Sequence, residues 1–416
     1  MVNKPRLLVL SHVLPFPRTA GQQQRVFYTL QAARKAFHVT FATSVADGDR
    51  TRVKMELLTI CDDVILLPSR YFGSRAGRLW HKAIGTVYAF STGLKFSNYL
   101  IGQVEFAPER IASNLVADRF DCVLFEYWHA ANGVAVFRKE GIPCVLDMHD
   151  ILWQTYARQL NAKPVVPEWW KRRRVGKYRA QEEQAWTLFD GLIAINHEEM
   201  KYVTPRTSGA TKVFHAPMGT DLELWPYSWQ PVQPRRVAYY GGLSSPHNQQ
   251  DALKCFTQIM PKIWKRFPET ELWLVGSNPP EFLRALTSDS RVKVTGYVEN
   301  VQQILRTMSV VVCPWSGTYG FRSRLIEVMA LGVPLVASRD AVWGMDPENS
   351  LGLLLGEDND ELAALVLRVL NDKESASGHS LRSRHDVEQI FSLESTYGKL
   401  VRDLTNWLQE RTRNAA

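Results

Sequence analysis

Two arginines in the last third of the chain have the residue type and spacing of an anion-binding pair. Arg322 and Arg324 stand at the start of a predicted helix that ends at Leu331, directly after a glycine-bearing loop. Backbone N–H groups at a helix N-terminus bind phosphate, and guanidinium groups match phosphate oxygens in a bidentate way. Cations there oppose the helix dipole, so the pattern favours a phosphate site over a solvated arginine pair. Glu327, further along the helix, could accept hydrogen bonds from sugar hydroxyls or could simply face solvent.

A second group of reactive side chains is the run Asp147, Met148, His149 and Asp150. It follows a predicted strand, and open parallel sheets bind ligands at the carboxyl ends of their strands. His149 could serve as a base, a hydrogen-bond donor or a metal ligand, and a purely structural histidine explains it equally well. A single cluster of this kind, without a partner motif, does not indicate a metal site.

The composition is that of a globular protein large enough for two domains. The chain has 416 residues, of which 45% are hydrophobic and 22% charged, with a net charge of +8. A basic balance suits phosphate-bearing small molecules, anionic lipid surfaces or nucleic acid. The basic residues are dispersed and no nucleic-acid-binding module is evident, so we expect no nucleic-acid partner. The five cysteines are scattered without metal-ligand spacing, which indicates reduced thiols.

The apolar run near the N-terminus is too short for a signal peptide, and no window is long enough for a transmembrane helix. We therefore expect a cytoplasmic protein that is at most peripheral to a membrane. Two stretches, 71–103 and 169–179, mix basic and aromatic residues. Each could rest on an anionic membrane surface or receive a large acceptor, or be an ordinary solvated part of the fold.

Strands and helices alternate along the chain in two successive series. The series are separated by the proline-containing stretch 221–235. The predicted strands are 6–10, 39–42, 64–67, 122–126, 143–146, 191–196, 212–214, 236–240, 271–275, 292–295, 310–313 and 334–337. The second series also predicts a helix over 248–267 and a helix over 360–371, which the run 358–360 would cap. This pattern predicts an α/β protein of two doubly wound, Rossmann-like domains facing a central cleft. We place the first domain at 1–225, the second at 226–390, and a C-terminal helix at 391–416 that packs back on the first domain.

Seven motifs occur in an order that resembles the family 4 glycosyltransferases, which have the GT-B fold. In the second half these are YYGGLSSPHNQQDAL, LWLVGSNP, VKVTGYVENV and GFRSRLIEVMALGVPLVAS. In the first half they are LVLSHVLPFPRTAGQQQRV, VLDMHD and VFHAPMGTDLELWP. The resemblance covers nearly the whole chain and is strongest over 237–338.

The resemblance implies a retaining transfer of a sugar from a nucleotide-diphosphate donor, UDP as first expectation and GDP next, to an acceptor hydroxyl. The acceptor would be a glycan, a lipid-linked sugar or a small metabolite, and neither a metal nor a cofactor would take part. The catalytic residues it implies are His149, Asp150, Arg324 and Glu327. The donor-binding residues it implies are Gly21, Gln22, Gly241, Gly242, Asn248, Gly296, Tyr297, Val298, Tyr319, Gly320, Phe321, Arg322, Arg324, Leu325 and Glu327.

Three positions depart from the family pattern. The first glutamate of the family falls on Tyr319, a basic pair after the Gly241 turn is replaced by Leu243 and His247, and the twin glycine of the first loop reads Gly21-Gln22. Two alternative functions therefore stay open. One is a nucleotide-sugar epimerase of the same fold, and the other is a non-catalytic protein that binds nucleotide sugars or acts as a scaffold.

Overall fold

The computed structural model describes residues 4–115, 120–161, 164–317, 321–345 and 352–415. The chain divides into two compact units, which we describe separately. The first unit comprises Met1–Ala216 and Tyr397–Ala416, and the second comprises Pro217–Thr396. The corresponding sequence-based boundaries lay at 225/226 and 390/391.

The first unit is built on a seven-stranded parallel sheet in the order β3-β2-β1-β4-β5-β6-β7. Its strands are β1 Arg6–Leu10, β2 His38–Val45, β3 Asp63–Pro68, β4 Cys122–Glu126, β5 Cys144–Asp147, β6 Gly191–Ala194 and β7 Lys212–His215. The strand order reverses between β1 and β4, which pair in parallel. A reversal of this kind leaves a crevice at the carboxyl ends of the two strands, where open α/β sheets bind ligands.

Within the described ranges, the first unit contains nine α-helices before the second unit begins and one at the end of the chain. With helices numbered along the whole chain, they are α1 Gly21–Ala36, α2 Arg50–Leu58, α3 Arg75–Thr92, α4 Phe96–Tyr99, α5 Pro108–Leu115, α6 Val134–Lys139, α7 Leu152–Asn161, α8 Glu168–Trp186, α9 His197–Val203 and α17 Lys399–Ala415. The C-terminal helix α17 packs on this unit: the Trp407 ring lies 5.7 Å from the Phe214 ring, and Arg411 bonds Asp190 at 3.3 Å.

The second unit has a six-stranded parallel sheet in the order β10-β9-β8-β11-β12-β13. Its strands are β8 Arg236–Tyr240, β9 Glu271–Val275, β10 Val292–Gly296, β11 Val310–Cys313, β12 Leu335–Ser338 and β13 Leu353–Gly356. Its helices are α10 Pro246–Lys254, α11 Met260–Arg266, α12 Glu281–Arg284, α13 Val301–Leu305, α14 Ser323–Leu331, α15 Asn359–Asn371 and α16 Lys373–Asp386. The order of these strands reverses between β8 and β11.

The two sheets confirm the predicted α/β fold of two doubly wound units. Strands that are covered on both faces read as continuous apolar runs, and all four residues of β11 are buried. Asp358 caps α15, as predicted, by accepting hydrogen bonds from the backbone N–H groups of Asp360 and Glu361 at 2.8 and 2.9 Å.

Three local predictions differ from the structure. The single helix expected over 248–267 is interrupted by a widened turn at Cys255–Ile259, next to Pro261, whose ring lacks the N–H that a continuous helix needs. Strand β13 is only four residues long, and α16 has a polar sequence, so neither gave a periodic signal. Among the described residues, no helix has the length and apolar character needed to cross a bilayer.

Candidate functional site

Two aromatic side chains meet at the reversal point of the first sheet. Tyr127 directly follows β4, and His149 lies two residues after β5; their φ angles are 69° and 61°, a region that non-glycine residues rarely adopt. The Tyr127 and His149 rings are stacked, with centroids 4.1 Å apart and an interplanar angle of 10°. Strained backbone conformations persist at functional sites because the surrounding structure holds them.

Buried charges fix the position of His149. Its Nε2 atom is hydrogen-bonded to Oε2 of Glu126, the last residue of β4. Burial raises the pKa of Glu126 despite the opposing attraction of His149. The backbone N–H of His149 donates to Oδ1 of Asp147 at 3.3 Å, and Arg25 Nε donates to both oxygens of that carboxylate at 2.9 and 2.7 Å. The Arg25 and Asp147 side chains are almost fully buried, so this ion pair lies inside the unit.

Within the described ranges, three side chains at this edge could supply ligands to a metal ion. One atom each from Glu126, Asp147 and His149 lies within 4.8 Å of the other two. The chemistry of the donors fits a metal poorly, because Asp147 is already neutralised by Arg25 and Glu126 is already bonded to His149. Metal-independence therefore stays our prediction.

The structure brings one of the two predicted residues of the first loop to the same place. Tyr127 donates its hydroxyl hydrogen to Oε1 of Gln22 at 3.0 Å, which links the first turn of α1 to the stacked pair. Gly21 is the first residue of α1, and a Cβ atom placed on it would meet nothing within 4 Å. The space next to the start of α1 is therefore open.

The predicted catalytic residue Asp150, which follows His149, is hydrogen-bonded to residues at the start of α7. Its carboxylate accepts hydrogen bonds from the backbone N–H of Ile151 at 2.8 Å and from the Thr155 hydroxyl at 2.5 Å, at the start of α7. Burial raises the pKa of Asp150 and of its neighbour Glu199, with which it shares a hydrogen bond. These contacts hold the Asp150 carboxylate against the segment that begins α7.

Glycines end or follow β8, β9 and β10 at the carboxyl edge of the second sheet. Gly241 and Gly242 follow β8, Gly276 follows β9, and Gly296 ends β10 with φ of 70°. A Cβ atom on Gly276 would collide with the carbonyl oxygen of Gly241, so these two backbones can approach only without a side chain. Asn248 braces the turn by donating to the Gly242 carbonyl at 2.8 Å.

Three polar side chains converge beside this glycine edge. The Tyr240 hydroxyl donates to Oε2 of Glu327 at 2.9 Å, and the Arg324 guanidinium lies 5.4 Å from the centre of the Tyr240 ring. A Cβ atom on Gly242 would be 3.3 Å from Nη1 of Arg324, so the cation lies against the glycine turn. Burial raises the pKa of Glu327 to about 7, although Tyr240 and Arg324 act in the opposite direction.

The two predicted phosphate-binding arginines have different surroundings. Arg322 donates from Nη1 to the carbonyl oxygens of Asp340 and Ala341, both at 3.2 Å, and from Nη2 to that of Gly317 at 3.3 Å. Its guanidinium also lies 3.9 Å from the centre of the Trp315 ring. These contacts make Arg322 a brace of the loops that follow β11 and β12, whereas Arg324 lies beside the glycine turn.

The remaining predicted donor-binding residues have varied positions in the second unit. The Tyr297 side chain, directly after β10, is 79% exposed, and Val298 is partly buried. Phe321 packs its ring 6.0 Å from that of Phe391, and Leu325 belongs to the core. Tyr319 and Gly320 lie outside the described residues.

The sequence-based reasoning did not identify four residues of these two edges as site residues: Arg25, Glu126, Tyr127 and Tyr240. Glu126, Tyr127 and Tyr240 carried a usable signal, because each ends or directly follows a strand at the sheet reversal. Arg25 carried none, since only the tertiary fold places the middle of α1 beside Asp147, 122 residues later.

Comparison with known proteins agrees with this geometry. Residues 234–372 match the family model described as glycosyl transferases group 1. The phosphatidyl-myo-inositol mannosyltransferase of Mycolicibacterium smegmatis is 27% identical over 165 residues, which cover 38% of this chain and 42% of that relative. The match thus spans less than half the length of this relative.

Two solved structures match the fold over nearly the whole chain. Sucrose-phosphate synthase from Thermosynechococcus elongatus aligns with a TM-score of 0.63 and 18% identity, covering 99% of this chain and all of that one. The Anabaena protein HepE in complex with UDP and glucose aligns with a TM-score of 0.62 and 15% identity, covering 97% and 100%. The segment 234–372 is therefore similar to the group 1 glycosyltransferases, and the chain has the GT-B fold that its two parallel sheets indicate.

Proposed function

We propose that the protein is a retaining glycosyltransferase that moves a sugar from a nucleotide-diphosphate sugar to an acceptor hydroxyl. The observation that carries this proposal is the cluster of Arg324, Tyr240 and Glu327 beside Gly242, within the segment that matches the family model. We expect the nucleotide of the donor to be UDP first, and GDP next. The solved HepE structure contains UDP, which supports that order.

Each member of the cluster has a role in this reaction. Arg324 lies in the first turn of α14, where its guanidinium and the free backbone N–H groups can hold the diphosphate. Glu327, one turn later, accepts the ribose hydroxyls, and Tyr240 orients its carboxylate. Negative charge grows on the diphosphate as the glycosidic bond breaks, so a cation fixed in advance lowers the barrier.

The first unit contributes the residues that handle the sugar. His149, held by Glu126 and Tyr127, binds a donor hydroxyl, and Asp150 maintains the local backbone at the start of α7. Retention of configuration is explained by attack on the same face that the diphosphate leaves, with a phosphate oxygen taking the proton of the acceptor. No metal or cofactor is required in this scheme, because the cationic groups stabilise the leaving group.

The acceptor is a glycan, a lipid-linked sugar or a small metabolite, and we propose an anionic membrane surface as a further partner. The relative from Mycolicibacterium smegmatis is named for a phospholipid acceptor, which supports the lipid class. Helix α3 presents Leu79, Trp80, Val87 and Phe90 with 69, 65, 68 and 82% of their surfaces exposed. The segment 64–104 contains no acidic residue. An exposed apolar helix face in a basic segment is typical of interfacial helices.

Vesicle sedimentation tests this membrane contact. We expect the protein to sediment with vesicles that contain phosphatidylglycerol and to stay in the supernatant with pure phosphatidylcholine. The double variant Trp80→Glu/Phe90→Glu should lose most of this binding, whereas Met55→Glu, which also changes an exposed apolar side chain, should retain it. Equal binding by both variants would contradict the assignment to α3.

A thermal-shift panel of nucleoside diphosphates tests the donor site. UDP or GDP should raise the melting temperature, because a ligand that binds only the folded state stabilises it. Arg324→Ala should abolish this shift and lower kcat/KM by 100-fold or more, the order expected for losing one charged hydrogen-bond donor. The control is Arg339→Ala, which removes an exposed arginine paired with Glu357 in the same unit.

The outcomes separate the alternatives. Conversion of the nucleotide sugar without any acceptor would favour an epimerase. The absence of nucleotide binding to folded wild-type protein would favour a scaffold role, and full turnover by Arg324→Ala would refute the assignment of the site.

A further inference from the structure

The first unit contains a cavity of about 380 Å³ at the carboxyl ends of β1, β2 and β3. Its size falls within the range of small-molecule binding sites. The walls are formed mainly by apolar side chains from the loops after these strands and from the segment that precedes α5. They include Leu14, Ala46, Tyr71, Phe72, Leu100 and Phe106.

Most polar groups of the cavity wall are already engaged. The Glu105 carboxylate accepts hydrogen bonds from the Ser44 hydroxyl at 2.5 Å, the Ser69 hydroxyl at 2.7 Å and Arg110 at 3.1 Å. Arg52, at another part of the wall, is paired with Asp49, which directly precedes α2, and with Glu56 on α2. The engaged groups fix the shape of the wall but leave few donors or acceptors for a polar ligand.

The His12 ring is not engaged in this way, and it connects the cavity to the stacked pair. Its ring lines the cavity and lies 5.3 Å from the ring of Tyr127, which in turn stacks on His149. Within the part of the chain that the structure describes, no protein atom forms a hydrogen bond with the His12 ring. One end of the cavity therefore offers an imidazole close to the residues that we assign to the sugar.

Another part of the cavity wall reaches the protein surface at Phe72. This side chain lines the cavity and is 55% exposed. The guanidinium of Arg78, in the first turn of α3, lies 5.4 Å from the centre of its ring. A ligand in the cavity can therefore extend past Phe72 toward the exposed face of α3.

We propose that this cavity is the acceptor subsite and that it takes an acceptor with an apolar body, such as an alkyl or aromatic group, whose hydroxyl end lies at His12. The inference rests on the proposed transferase function and narrows its acceptor to amphiphilic molecules. Most polar groups of the wall are already hydrogen-bonded to other protein groups, which disfavours binding of a sugar without an apolar group. The hydroxyls of such a sugar would lose their hydrogen bonds to water without gaining partners in the protein.

Binding of n-octyl β-D-glucoside, below its micelle concentration, tests the proposal by calorimetry, with glucose as the polar comparison. We expect one saturable site for octyl glucoside on the wild type and at least tenfold weaker binding of glucose. Ala46→Trp, which fills a partly buried wall position, should weaken octyl glucoside binding at least tenfold. Thr51→Trp, an exposed change on α2 that does not line the cavity, should bind as the wild type does.

A second variant protects the test against misfolding. Phe72→Asp changes a half-exposed rim position and should also lose octyl glucoside binding, while both cavity variants keep the UDP thermal shift. Equal binding of glucose and octyl glucoside, or unchanged binding by Ala46→Trp and Phe72→Asp, would overturn the proposal. A failure of the proposed transferase function can be distinguished from a failure of the acceptor proposal. In the first case UDP would not raise the melting temperature of the wild type, while octyl glucoside would still bind.

Discussion

The rings of Tyr127 and His149 are stacked 4.1 Å apart although both residues have positive φ angles. The backbone of Tyr127, with φ of 69° and ψ of 145°, lies near a region that is populated almost only by glycine. Contacts must offset this strain, and they are visible: the hydroxyl bonds Gln22, and the preceding residue, Glu126, bonds the stacked histidine. The pair is a preorganised element at the reversal of the first sheet.

This strain predicts an unusual order of stability at position 127. Tyr127→Gly should be more stable than Tyr127→Ala by about 1 kcal/mol or more, because only glycine adopts this backbone conformation without cost. Both variants lose the ring and should transfer sugar poorly. Urea unfolding measures the difference. The control pair at Lys54, exposed on α2, should show the opposite order, with Gly less stable than Ala.

Because Arg25 and Asp147 form a buried ion pair, we expect Arg25→Met to lower the free energy of unfolding by a large amount that depends on pH. Burial alone would raise the pKa of Asp147, but the attraction of Arg25 holds it below its ordinary value. Removing the partner of a buried charge should cost about 3–5 kcal/mol at pH 7. A lowered carboxyl pKa contributes stability above the unfolded value of about 3.9 and loses it as pH falls.

The cost of Arg25→Met should therefore shrink when urea unfolding is repeated near pH 3.5. Arg34→Met is the matched control, because its ion pair with Asp62 is partly exposed and should contribute less than about 1 kcal/mol. If both variants lost the same unfolding free energy at pH 7, the buried pair would contribute no more to stability than the partly exposed one.

The contacts of Arg322 predict that it stabilises the fold more than it binds the donor. Arg322→Ala leaves three carbonyl oxygens without this donor and exposes the Trp315 ring, so unfolding should become easier by about 2 kcal/mol or more. Arg324→Ala should change the melting temperature little but abolish the UDP shift. If Arg324→Ala lowered the melting temperature and Arg322→Ala abolished the UDP shift instead, Arg322 would be the donor-binding residue and Arg324 the stabilising one.

The pKa of Glu327 predicts that stability falls between pH 6 and pH 8. Burial raises this pKa to about 7, so the folded protein retains a proton that the unfolded chain has already released. Such a group contributes stability at low pH and loses it as pH rises through 7, here by about 1.4 kcal/mol between pH 6 and 8.

Glu327→Gln should lack this change, so the difference in unfolding free energy between wild type and variant should depend on pH. Histidines that titrate in the same range cancel in that difference. Glu299→Gln, at an exposed position of the same unit, should follow the wild type. A pH-independent difference at Glu327 would contradict a carboxyl group whose pKa is raised to about 7.

The sequence by itself determined the fold class and all of the described strands except β13. Buried parallel strands read as continuous apolar runs, and β1, β4, β8, β9 and β11 have the bounds that their runs predicted. It also placed His149 at a strand end, and Arg324 and Glu327 on a helix that follows a glycine-bearing loop, because turn glycines and strand endings are local signals. The polar helix α16 and the short strand β13 had no such signal.

Only the tertiary structure decided which of these side chains meet. Arg322 and Arg324 look equivalent in sequence, but one donates to carbonyls of neighbouring loops and the other lies beside the Gly242 turn. Arg25 pairs with a carboxylate 122 positions later, and Glu126 holds a histidine from the adjacent strand end. Such pairings depend on strand order and on burial, which act through contacts between distant segments and leave no periodic trace along the chain.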